Sequence, residues 1–219
     1  MSDTDLRQTN EWWHPRHDTS QVHRVDSPKS FTDERYHDNY ISVIDEFVSS
    51  KETAIDIGAN IGMMTVPIAR RFKKVYAYEP TPSAFTALVK NTESFDNVEC
   101  NMLAVSDKEG TVNFHFRKGM NTSSVGCIYE GDYIKNTIQV DVIKLDDQNI
   151  TDVSLIKIDV EGYEANVLNG AKQTILKYNP LICLEYNNRE EIDPIMKEYG
   201  YVKLKRHFTK EAIFAPKEN

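Results

Sequence analysis

The stretch that decides the fold is Ile55-Asp56-Ile57-Gly58-Ala59-Asn60-Ile61-Gly62. A short apolar run, typical of a buried strand, ends there in a turn marked by two glycines, and a helical pattern follows. A strand end, a glycine turn and a helix N-terminus place backbone N–H groups beside a small polar or anionic ligand. The stretch therefore predicts a nucleotide-cofactor site at the end of a sheet strand.

The spacing of the glycines bears on which nucleotide the site binds. The dinucleotide fingerprint needs a second glycine close to the first, so that pyrophosphate can touch the backbone. Asn60 stands between Gly58 and Gly62 instead. A nicotinamide dehydrogenase is disfavoured on this ground, and a ligand without pyrophosphate fits better.

An acidic residue ends the next predicted strand. Val75 to Tyr78 is short and apolar, and Glu79 follows it 17 residues after Gly62 (79 − 62). An acidic residue at about this distance from the glycines accepts hydrogen bonds from ribose hydroxyls in nucleotide-binding sheets. The alternative is that Glu79 only begins the turn before Pro80. A nucleoside cofactor without pyrophosphate points to S-adenosylmethionine.

The order of the predicted elements indicates an α/β fold, a Rossmann-like, mostly parallel sheet with helices on both faces. The last two predicted strands, 201–205 and 212–215, are joined by a short turn and should pair antiparallel at one sheet edge. Two alternating runs within about 111–144 predict an inserted β-hairpin with a long polar loop. Residues 31–219 are expected to form a single domain.

The first 30 residues show no helical or strand period, which predicts an irregular N-terminal arm. They contain two tryptophans and three histidines, for which a metal cluster and an aromatic platform are both conceivable, and the sequence supports neither. A helix capped by Thr32 should follow. Its apolar face is predicted to consist of Tyr36, Tyr40, Val43, Ile44, Phe47 and Val48.

Charge and composition exclude some classes of partner. The 219 residues include 26 Lys and Arg against 34 Asp and Glu, a net charge of −8, which argues against nucleic acid and anionic membranes as partners. No apolar run approaches the roughly 18 residues of a membrane span, and the polar, acidic start does not resemble a signal peptide. The three cysteines form no C-x-x-C pair. A cytoplasmic protein is expected.

Four motifs in a fixed order resemble those of the FkbM family of methyltransferases. They are Ile55 to Gly62, Val75-Tyr76-Ala77-Tyr78-Glu79-Pro80, Ala104-Val105-Ser106-Asp107, and Leu155-Ile156-Lys157-Ile158-Asp159-Val160-Glu161-Gly162-Tyr163-Glu164. The resemblance covers roughly residues 50 to 187. It implies a class I methyltransferase fold, S-adenosylmethionine as the donor, and usually a hydroxyl oxygen as the acceptor, often on a sugar or another secondary metabolite.

The resemblance also implies roles for individual residues. The glycine turn would admit the methionyl part of the donor, Asp56 would anchor the turn or the donor's ammonium, and Glu79 would bind the ribose. Residues 101–105 would border the adenine. The predicted cofactor-binding residues are Asp56, Gly58, Ala59, Asn60, Gly62, Glu79, Pro80, Asn101, Ala104 and Val105.

Three ionisable residues mark the expected point of transfer. Lys157 and Asp159 point to one face of a strand that should be central, and Glu161 follows at its carboxyl end. Asp159 is the first candidate for the base or acceptor clamp. Glu161 is the second, although it could instead cap the following helix. The alternative is that Lys157 and Asp159 only neutralise each other as a buried pair.

The acceptor is predicted to be a small molecule or a glycan. His115, with Asn121, Ser123 and Ser124 on the hairpin loop, could form an acceptor lid, and Glu185 and Asn187 face the same rim. A divalent metal such as Mg²⁺ could be shared by Asp159 and Glu185. An RNA ribose methyltransferase and a non-catalytic module that binds S-adenosylmethionine are the alternative functions.

Overall fold

The structure is a computed structural model that describes residues 6–16, 34–117, 126–127, 134–204 and 210–217. The strands are β1 (Leu6–Thr9), β2 (Trp12–Pro15), β3 (Thr53–Ile57), β4 (Lys74–Tyr78), β5 (Val98–Asn101), β6 (Ala104–Val105), β7 (Gly110–Arg117), β8 (Gly126–Cys127), β9 (Ile134–Ile143), β10 (Val153–Ile158), β11 (Leu181–Glu185), β12 (Tyr201–Lys203) and β13 (Glu211–Pro216). The α-helices are α1 (Glu34–Phe47), α2 (Thr65–Ala69), α3 (Pro82–Thr92), α4 (Glu164–Gly170), α5 (Lys172–Tyr178) and α6 (Arg189–Glu198), and a 3₁₀ helix spans Leu145–Gln148.

The central sheet has seven strands in the order β12-β13-β11-β10-β3-β4-β5. Strands β11, β10, β3, β4 and β5 are parallel, whereas β13 runs antiparallel to both β11 and β12. The predicted antiparallel pair at the edge is therefore confirmed, and β13 is also inserted between β12 and the rest of the sheet. The carboxyl ends of the five parallel strands lie along one edge, where ligands of such sheets bind.

Helices cover both faces of this sheet, which explains why its strands are apolar on both sides. On one face, Ile55, Ile156 and Ile182 pack in a core cluster with residues of α4, α5 and α6. On the other face, Ala54 and Leu155 pack with residues of α1 and α2. Alternate residues of each strand thus enter different cores, as the period of a strand requires.

The predicted insert is present as a larger element than a hairpin. Strands β7 and β9 pair antiparallel from Gly110↔Val142 onward, and β6 and β8 extend them to a four-stranded sheet in the order β6-β9-β7-β8. Strand β6 pairs parallel with β9, so the segment after β5 belongs to this second sheet. The apolar pattern of residues 98–103 predicts a longer third strand than the structure has, because β5 stops at Asn101.

The description of residues 1–30 as an irregular arm is wrong for the part that the structure describes. Strands β1 and β2 form an antiparallel hairpin that packs on α3. Leu6 and Trp12 are buried in a cluster with Ile61 and Ala87. Each strand has only four residues, which is too short for an alternation of apolar and polar residues to be recognised in the sequence. The apolar face of the hairpin is buried only because it packs on α3. His17 and His23 lie outside the described residues.

Two helices differ from the sequence prediction in detail. On α1, Tyr40, Val43 and Ile44 are buried as expected, and so is Val48 directly after the helix, but Phe47 is 43% exposed and does not belong to the buried face. Helix α2 does not open at Gly62: it begins at Thr65, which places Pro67 in its first turn, where no N–H is needed. Tyr36 and Thr32 have no described side chain. A search of the described residues finds no helix that is both long and apolar enough to cross a membrane.

Candidate active site

The glycine turn after β3 requires left-handed backbone at alternate positions. Gly58, Asn60 and Gly62 have φ of 77°, 52° and 94°. Asparagine tolerates this conformation better than most residues, and the Asn60 Oδ1 accepts a hydrogen bond from the Ile61 N–H at 2.8 Å. The turn is thus a sharply folded structure that is specified by its residue types.

The backbone N–H groups of this turn are used within the protein. Those of Gly58 and Ala59 donate to the Tyr78 carbonyl at 2.9 and 3.0 Å, and that of Gly62 donates to the Ala59 carbonyl at 2.9 Å. The Asn60 N–H donates to the Glu79 carboxylate at 3.0 Å. The expectation that these N–H groups point at a ligand is therefore wrong in this structure, where they fix the turn against β4.

Glu79 connects the turn to the next strand. Its two carboxylate oxygens accept hydrogen bonds from the N–H groups of Asn60, at 3.0 Å, and Thr81, at 2.8 Å. Burial raises the pKa of the Glu79 carboxyl, and these two hydrogen bonds oppose that rise. A carboxylate oxygen has more than one lone pair, so Glu79 keeps acceptor capacity for the hydroxyls of a ribose.

The residues predicted to border the adenine have packing roles in the structure. The Asn101 carbonyl accepts the Glu79 N–H at 3.0 Å, which ties the ends of β4 and β5 together. Ala104 and Val105 are both buried, the first in the core of the second sheet and the second in the core beneath the main sheet. Between them and β5, Met102 is 49% exposed and offers apolar surface at this edge. Pro80 follows Glu79 and is partly buried.

Asp56 is fully buried beneath the turn. Its Oδ2 accepts a hydrogen bond from the Thr65 hydroxyl at 2.6 Å, which holds the start of α2. Its Oδ1 accepts no well-aligned hydrogen bond among the described residues, and the ammonium of Lys157 lies 3.2 Å from it. The same ammonium donates to the Gly58 carbonyl at 3.2 Å. Asp56 and Lys157 thus form a buried ion pair that supports the turn from below.

Asp159 lies on the other side of the turn. Its N–H donates to the Ile57 carbonyl at 3.0 Å, and its side chain is 45% exposed. The Lys157 ammonium is 3.6 Å from Asp159 Oδ2, farther than from Asp56. The interpretation that Lys157 and Asp159 only neutralise each other is therefore incomplete, because the shorter ion pair of Lys157 is with Asp56.

The helix after Asp159 is not capped by Glu161. Glu161 has left-handed backbone with φ of 54°, and the carboxylate that accepts the N–H groups of Val160 and Gly162 belongs to Glu164, at 3.3 and 3.0 Å. The capping alternative for Glu161 is thus wrong. Glu161 is exposed, yet nearby protein still reduces its hydration, and this effect together with the like charges of Glu185 and Asp159 raises its pKa to about 7.

A pocket opens beyond the carboxyl ends of β10 and β11. It is lined by Tyr40, Met64, Lys157, Ile158, Asp159, Glu185 and Glu211. Asn187, which follows β11, donates to Glu185 Oε1 at 2.8 Å, whereas Glu185 Oε2 is buried with no hydrogen-bond partner among the described residues. Burial and the charge of Asp159 raise the pKa of Glu185. The pocket thus gathers Lys157, Asp159 and Glu185, whereas Glu161, the third member of the group predicted at the transfer point, is not among its lining residues.

Of the residues predicted to form the acceptor lid, the structure describes only His115, which does not join this pocket. His115 is 6% exposed on β7, and its Nδ1 lies 2.9 Å from the Thr137 hydroxyl of the neighbouring strand. It is therefore a packed residue of the second sheet and does not line the pocket. Asn121, Ser123 and Ser124 lie outside the described residues, so the lid stays a prediction. Within the described part of the chain, no group of three or more His, Cys, Asp or Glu is placed to hold a metal.

Several residues of the site were not found from the sequence. Tyr40 on α1 and Glu211 at the start of β13 line the pocket, and so does Met64, which lies between the glycine turn and α2. Asn91 on α3 donates to the Ile61 carbonyl at 2.7 Å and joins the turn to β2. Of these residues, only Tyr40 stood out in the sequence, as part of the apolar face of a predicted helix. That pattern predicts that Tyr40 is buried but not that it lines a pocket.

A seven-stranded sheet with this strand order, its antiparallel β13 and a cofactor turn after β3 defines a class I methyltransferase fold. The same fold is seen in the crystal structure of the methyltransferase FkbM from Methylobacillus flagellatus, with a TM-score of 0.55 and 18% identity over 76% of this chain and 43% of that one.

The chain belongs to the FkbM methyltransferase family, because the model of the methyltransferase FkbM domain matches residues 56–203, more than half of its length. The resemblance found in the sequence is thereby confirmed. The match includes the glycine turn, Glu79 and Asp159, and it excludes Tyr40 and Glu211.

Curated relatives include two with named reactions. The 2-O-methyltransferase NoeI of Sinorhizobium fredii is 28% identical, with 62% of this chain and 63% of that protein covered. The hexuronic acid methyltransferase AglP of Haloferax volcanii is 23% identical, with 86% of this chain and 78% of that protein covered. The chain therefore spans less than two thirds of the length of the first of them.

Proposed function

We propose that the protein is an S-adenosylmethionine-dependent O-methyltransferase that acts on a hydroxyl of a sugar, a glycan or a related polyhydroxyl metabolite. Membership of the FkbM family supports methyl transfer. The names of the two relatives support a sugar acceptor and an oxygen as the methylated atom.

The donor side of the site consists of the glycine turn and Glu79. The chemistry of these groups fits the cofactor: the Glu79 carboxylate is fixed by two N–H groups and retains lone pairs for ribose hydroxyls. The Gly58 carbonyl, which accepts one hydrogen bond from Lys157, has a second lone pair suited to the ammonium of a methionyl group. Met102 and its neighbours supply apolar surface for the adenine. When bound, S-adenosylmethionine supplies a sulfonium methyl group, which leaves its electron pair on sulfur as the new O–CH₃ bond forms.

The observation that carries the proposal is the contact between Gly58 and Asp159. A Cβ built on Gly58 would lie 1.9 Å from the Asp159 carbonyl oxygen, so the backbone of the donor turn is in direct contact with Asp159, which lines the pocket. In a displacement with a good leaving group, the main task of the enzyme is to hold the two reactants close together in the right orientation. The pocket carboxylate is thus adjacent to the donor turn.

Asp159 is placed to orient the acceptor hydroxyl and to take its proton. The Asp159 side chain is partly exposed and lines the pocket. The Lys157 ammonium lies closer to Asp56, at 3.2 Å, than to Asp159, at 3.6 Å, so Asp159 is not its main partner. Glu161 is the second group that can receive the proton, since its raised pKa makes it a better base at neutral pH than an ordinary carboxylate. Lys157 holds Asp56 and the turn in position.

The experiment is label transfer from S-adenosylmethionine with the wild-type chain, with Asp159→Asn and with a control, Asp96→Asn, at an exposed site on another edge. Acceptors are simple hexoses, oligosaccharides and fractionated extracts of the source cells. We expect label in a hydroxyl-bearing acceptor, a loss of kcat of about 100-fold or more in Asp159→Asn, typical of general bases, and unchanged kcat in Asp96→Asn. Retention of full activity by Asp159→Asn would remove Asp159 from this role.

Two further outcomes distinguish the alternatives. Binding of S-adenosylmethionine without label in any acceptor would indicate a non-catalytic module, and label in RNA would indicate the ribose methyltransferase. The predicted Mg²⁺ between Asp159 and Glu185 is tested by adding chelator during transfer. Loss of activity that magnesium restores would support the metal, and unchanged activity would contradict it.

A further inference from the structure

The β1–β2 hairpin precedes the family match in the sequence and packs beside the predicted donor turn in the fold. The match covers residues 56–203 and so begins after the hairpin. The hairpin packs on α3, the helix that follows β4. Leu6 and Trp12 share a buried cluster with Ile61 of the glycine turn and with residues of α2 and α3. A segment outside the matched region is therefore in the same core as the donor turn.

Ile61 connects this cluster to the glycine turn. Its side chain is fully buried in the cluster. It stands between Asn60, whose N–H donates to the Glu79 carboxylate at 3.0 Å, and Gly62, which has a φ of 94°. A displacement of Ile61 would therefore move the turn and also the hydrogen bond that fixes Glu79. The packing of one apolar side chain is thus coupled to both groups that are predicted to bind the donor.

The side-chain amide of Asn91 joins the backbone of β2 to the backbone of the turn. Asn91 Oδ1 accepts the Trp13 N–H at 2.8 Å, and Asn91 Nδ2 donates to the Trp13 carbonyl at 2.9 Å. The amide thus bonds β2 through one acceptor and one donor, as the backbone of a neighbouring strand would. Because Nδ2 carries two N–H groups, it also donates to the Ile61 carbonyl, at 2.7 Å. The hairpin and the turn are therefore held at the same point of α3.

Helix α3 itself is packed tightly against the turn. A Cβ built on Gly62 would lie 3.0 Å from Leu88 Cδ1 and 3.7 Å from Thr92 Cγ2. The helix and the turn are thus in contact without spare room, and the hairpin contacts both. Because closely packed groups transmit small displacements, the hairpin restrains the position of the turn relative to α3.

The acceptor pocket does not share these contacts. Its carboxylates Asp159, Glu185 and Glu211 lie at the ends or starts of β10, β11 and β13, on the other side of β3 from β4. Among the described residues, none of those that line the pocket belongs to the hairpin. An effect of the hairpin should therefore change donor binding and leave acceptor binding and the chemical step unaltered.

We propose that the β1–β2 hairpin positions the glycine turn for S-adenosylmethionine. Leu6 and Trp12 are positioning residues that act through their packing with Ile61, and Trp13 is one that acts through Asn91. This inference rests on the proposed function and extends its donor site to a segment outside the matched region. A coupling of this kind is reciprocal, so a bound donor should in turn stabilise the packed hairpin.

The first test compares the loss of two buried aliphatic side chains in the full chain. Leu6→Ala removes packing between the hairpin and the turn, whereas Ile175→Ala removes a side chain of the same size on α5, fully buried in another core cluster. Calorimetry measures the Kd for S-adenosylhomocysteine, and label transfer measures KM and kcat. In Leu6→Ala we expect this Kd and the KM for S-adenosylmethionine to rise at least about five-fold, with kcat at saturating donor within about two-fold of the wild type. Ile175→Ala should leave all three within about two-fold even where its Tm falls as far.

The second test uses the wild type and requires no substitution. Hydrogen exchange of the backbone amides in residues 6–15 is measured with and without S-adenosylhomocysteine, and the edge strand β12 is the reference. A ligand slows every exchange that requires global unfolding, but it slows local opening only where that opening is coupled to its site. We expect exchange in the hairpin to slow at least about five-fold more than exchange in β12. A hairpin with only a structural role would not show this difference.

Three results would overturn the inference. They are equal slowing of exchange in the hairpin and in β12, an unchanged donor affinity in a folded Leu6→Ala, and an equal loss of donor affinity in Leu6→Ala and Ile175→Ala. The last would mean that any loss of stability weakens the site. If Leu6→Ala does not fold, the exchange experiment decides. Failure of the wild type to bind S-adenosylmethionine contradicts the proposed function, whereas binding without coupling to the hairpin contradicts this inference alone.

Discussion

The carbonyl oxygen of Asp159 occupies the space that a side chain on Gly58 would need. A Cβ on Gly58 would approach it to 1.9 Å, and the residue already has a φ of 77°. Backbone conformation and close approach thus both require glycine at this position. The contact joins the donor turn after β3 to the strand end after β10, where the pocket begins.

We expect Gly58→Ala to lower the free energy of unfolding by about 3 kcal/mol, because it adds left-handed strain and displaces the Asp159 backbone. The affinity for S-adenosylmethionine should fall at least about ten-fold, a further loss of about 1.4 kcal/mol. Chemical denaturation and calorimetry measure the two effects. Gly200→Ala is the control, since Gly200 has a φ of 80° but open space around it, and we expect it to lose only about 1 to 2 kcal/mol. Equal losses in both variants would show that the contact with Asp159 is unimportant.

Removal of Lys157 should expose the cost of the buried Asp56 charge. Asp56 is fully buried, and the side chain of Lys157 is 11% exposed. Lys157→Met should therefore lower the free energy of unfolding by about 3 to 5 kcal/mol, the usual result of leaving one buried charge unpaired. The double variant Asp56→Asn with Lys157→Met should recover much of this loss. Denaturation of Lys157→Met, of Asp56→Asn and of the double variant measures the coupling.

A surface ion pair provides the control for that prediction. Lys172 Nζ lies 2.6 Å from Glu198 Oε1, and the two side chains are 45% and 64% exposed. Lys172→Met should cost about 1 kcal/mol or less, because exposed pairs are screened by water. If Lys157→Met were as mild as Lys172→Met, the ion pair with Asp56 would have no structural importance.

Asn91 is expected to affect donor binding from a distance. Its side chain accepts the Trp13 N–H at 2.8 Å and donates to the carbonyls of Trp13 at 2.9 Å and Ile61 at 2.7 Å. Asn91→Ala leaves these backbone groups without partners, and we expect a loss of about 2 kcal/mol of stability. Because Ile61 belongs to the turn, KM for S-adenosylmethionine should rise several-fold while kcat changes little.

Asn166→Ala is the matched control for Asn91→Ala. The Asn166 amide makes one exposed hydrogen bond, to Asp107 at 3.3 Å. Its loss should change stability by about 0.5 kcal/mol or less. A fall in kcat for Asn91→Ala with unchanged KM would contradict a role in positioning the donor turn.

The parallel sheet could be predicted from the sequence because its signals are local. Apolar strands, the glycine turn and the acidic residue at the end of β4 each occupy a few consecutive residues, and their order determines the strand arrangement. Asp159 and Glu185 were also predictable, since residues that follow neighbouring parallel strands meet at one edge. The observed pocket contains both.

The missed features depend on contacts between distant parts of the chain. The hairpin of β1 and β2 is stabilised against α3, and Trp13 and Asn91 are 78 positions apart. Tyr40 and Glu211 line one pocket although 171 positions separate them in the sequence (211 − 40). Glu161 and Glu164 are three positions apart and equally acidic. The sequence therefore could not show that Glu164 accepts the N–H groups of Val160 and Gly162, or that the charges of Glu185 and Asp159 act on Glu161.

The raised pKa of Glu161 predicts how stability depends on pH. The folded-state value is about 7, above the ordinary value of 4.5, so folding favours the protonated form. The stability that protonation provides is fully present below pH 4.5 and is lost as the pH rises through 7. In Glu161→Gln, which is neutral at every pH, this loss cannot occur. The free energy of unfolding of the variant minus that of the wild type should therefore increase between pH 4.5 and 7 and stay constant above, as measured by denaturation at a series of pH values. The wild-type kcat should rise through pH 7 if Glu161 takes the acceptor proton, and in Asp159→Asn that rise should move to lower pH, since the charge of Asp159 helps to raise the pKa of Glu161. A difference in stability that is the same at pH 4.5 and pH 8 would show that Glu161 ionises in the folded protein as it does in the unfolded chain.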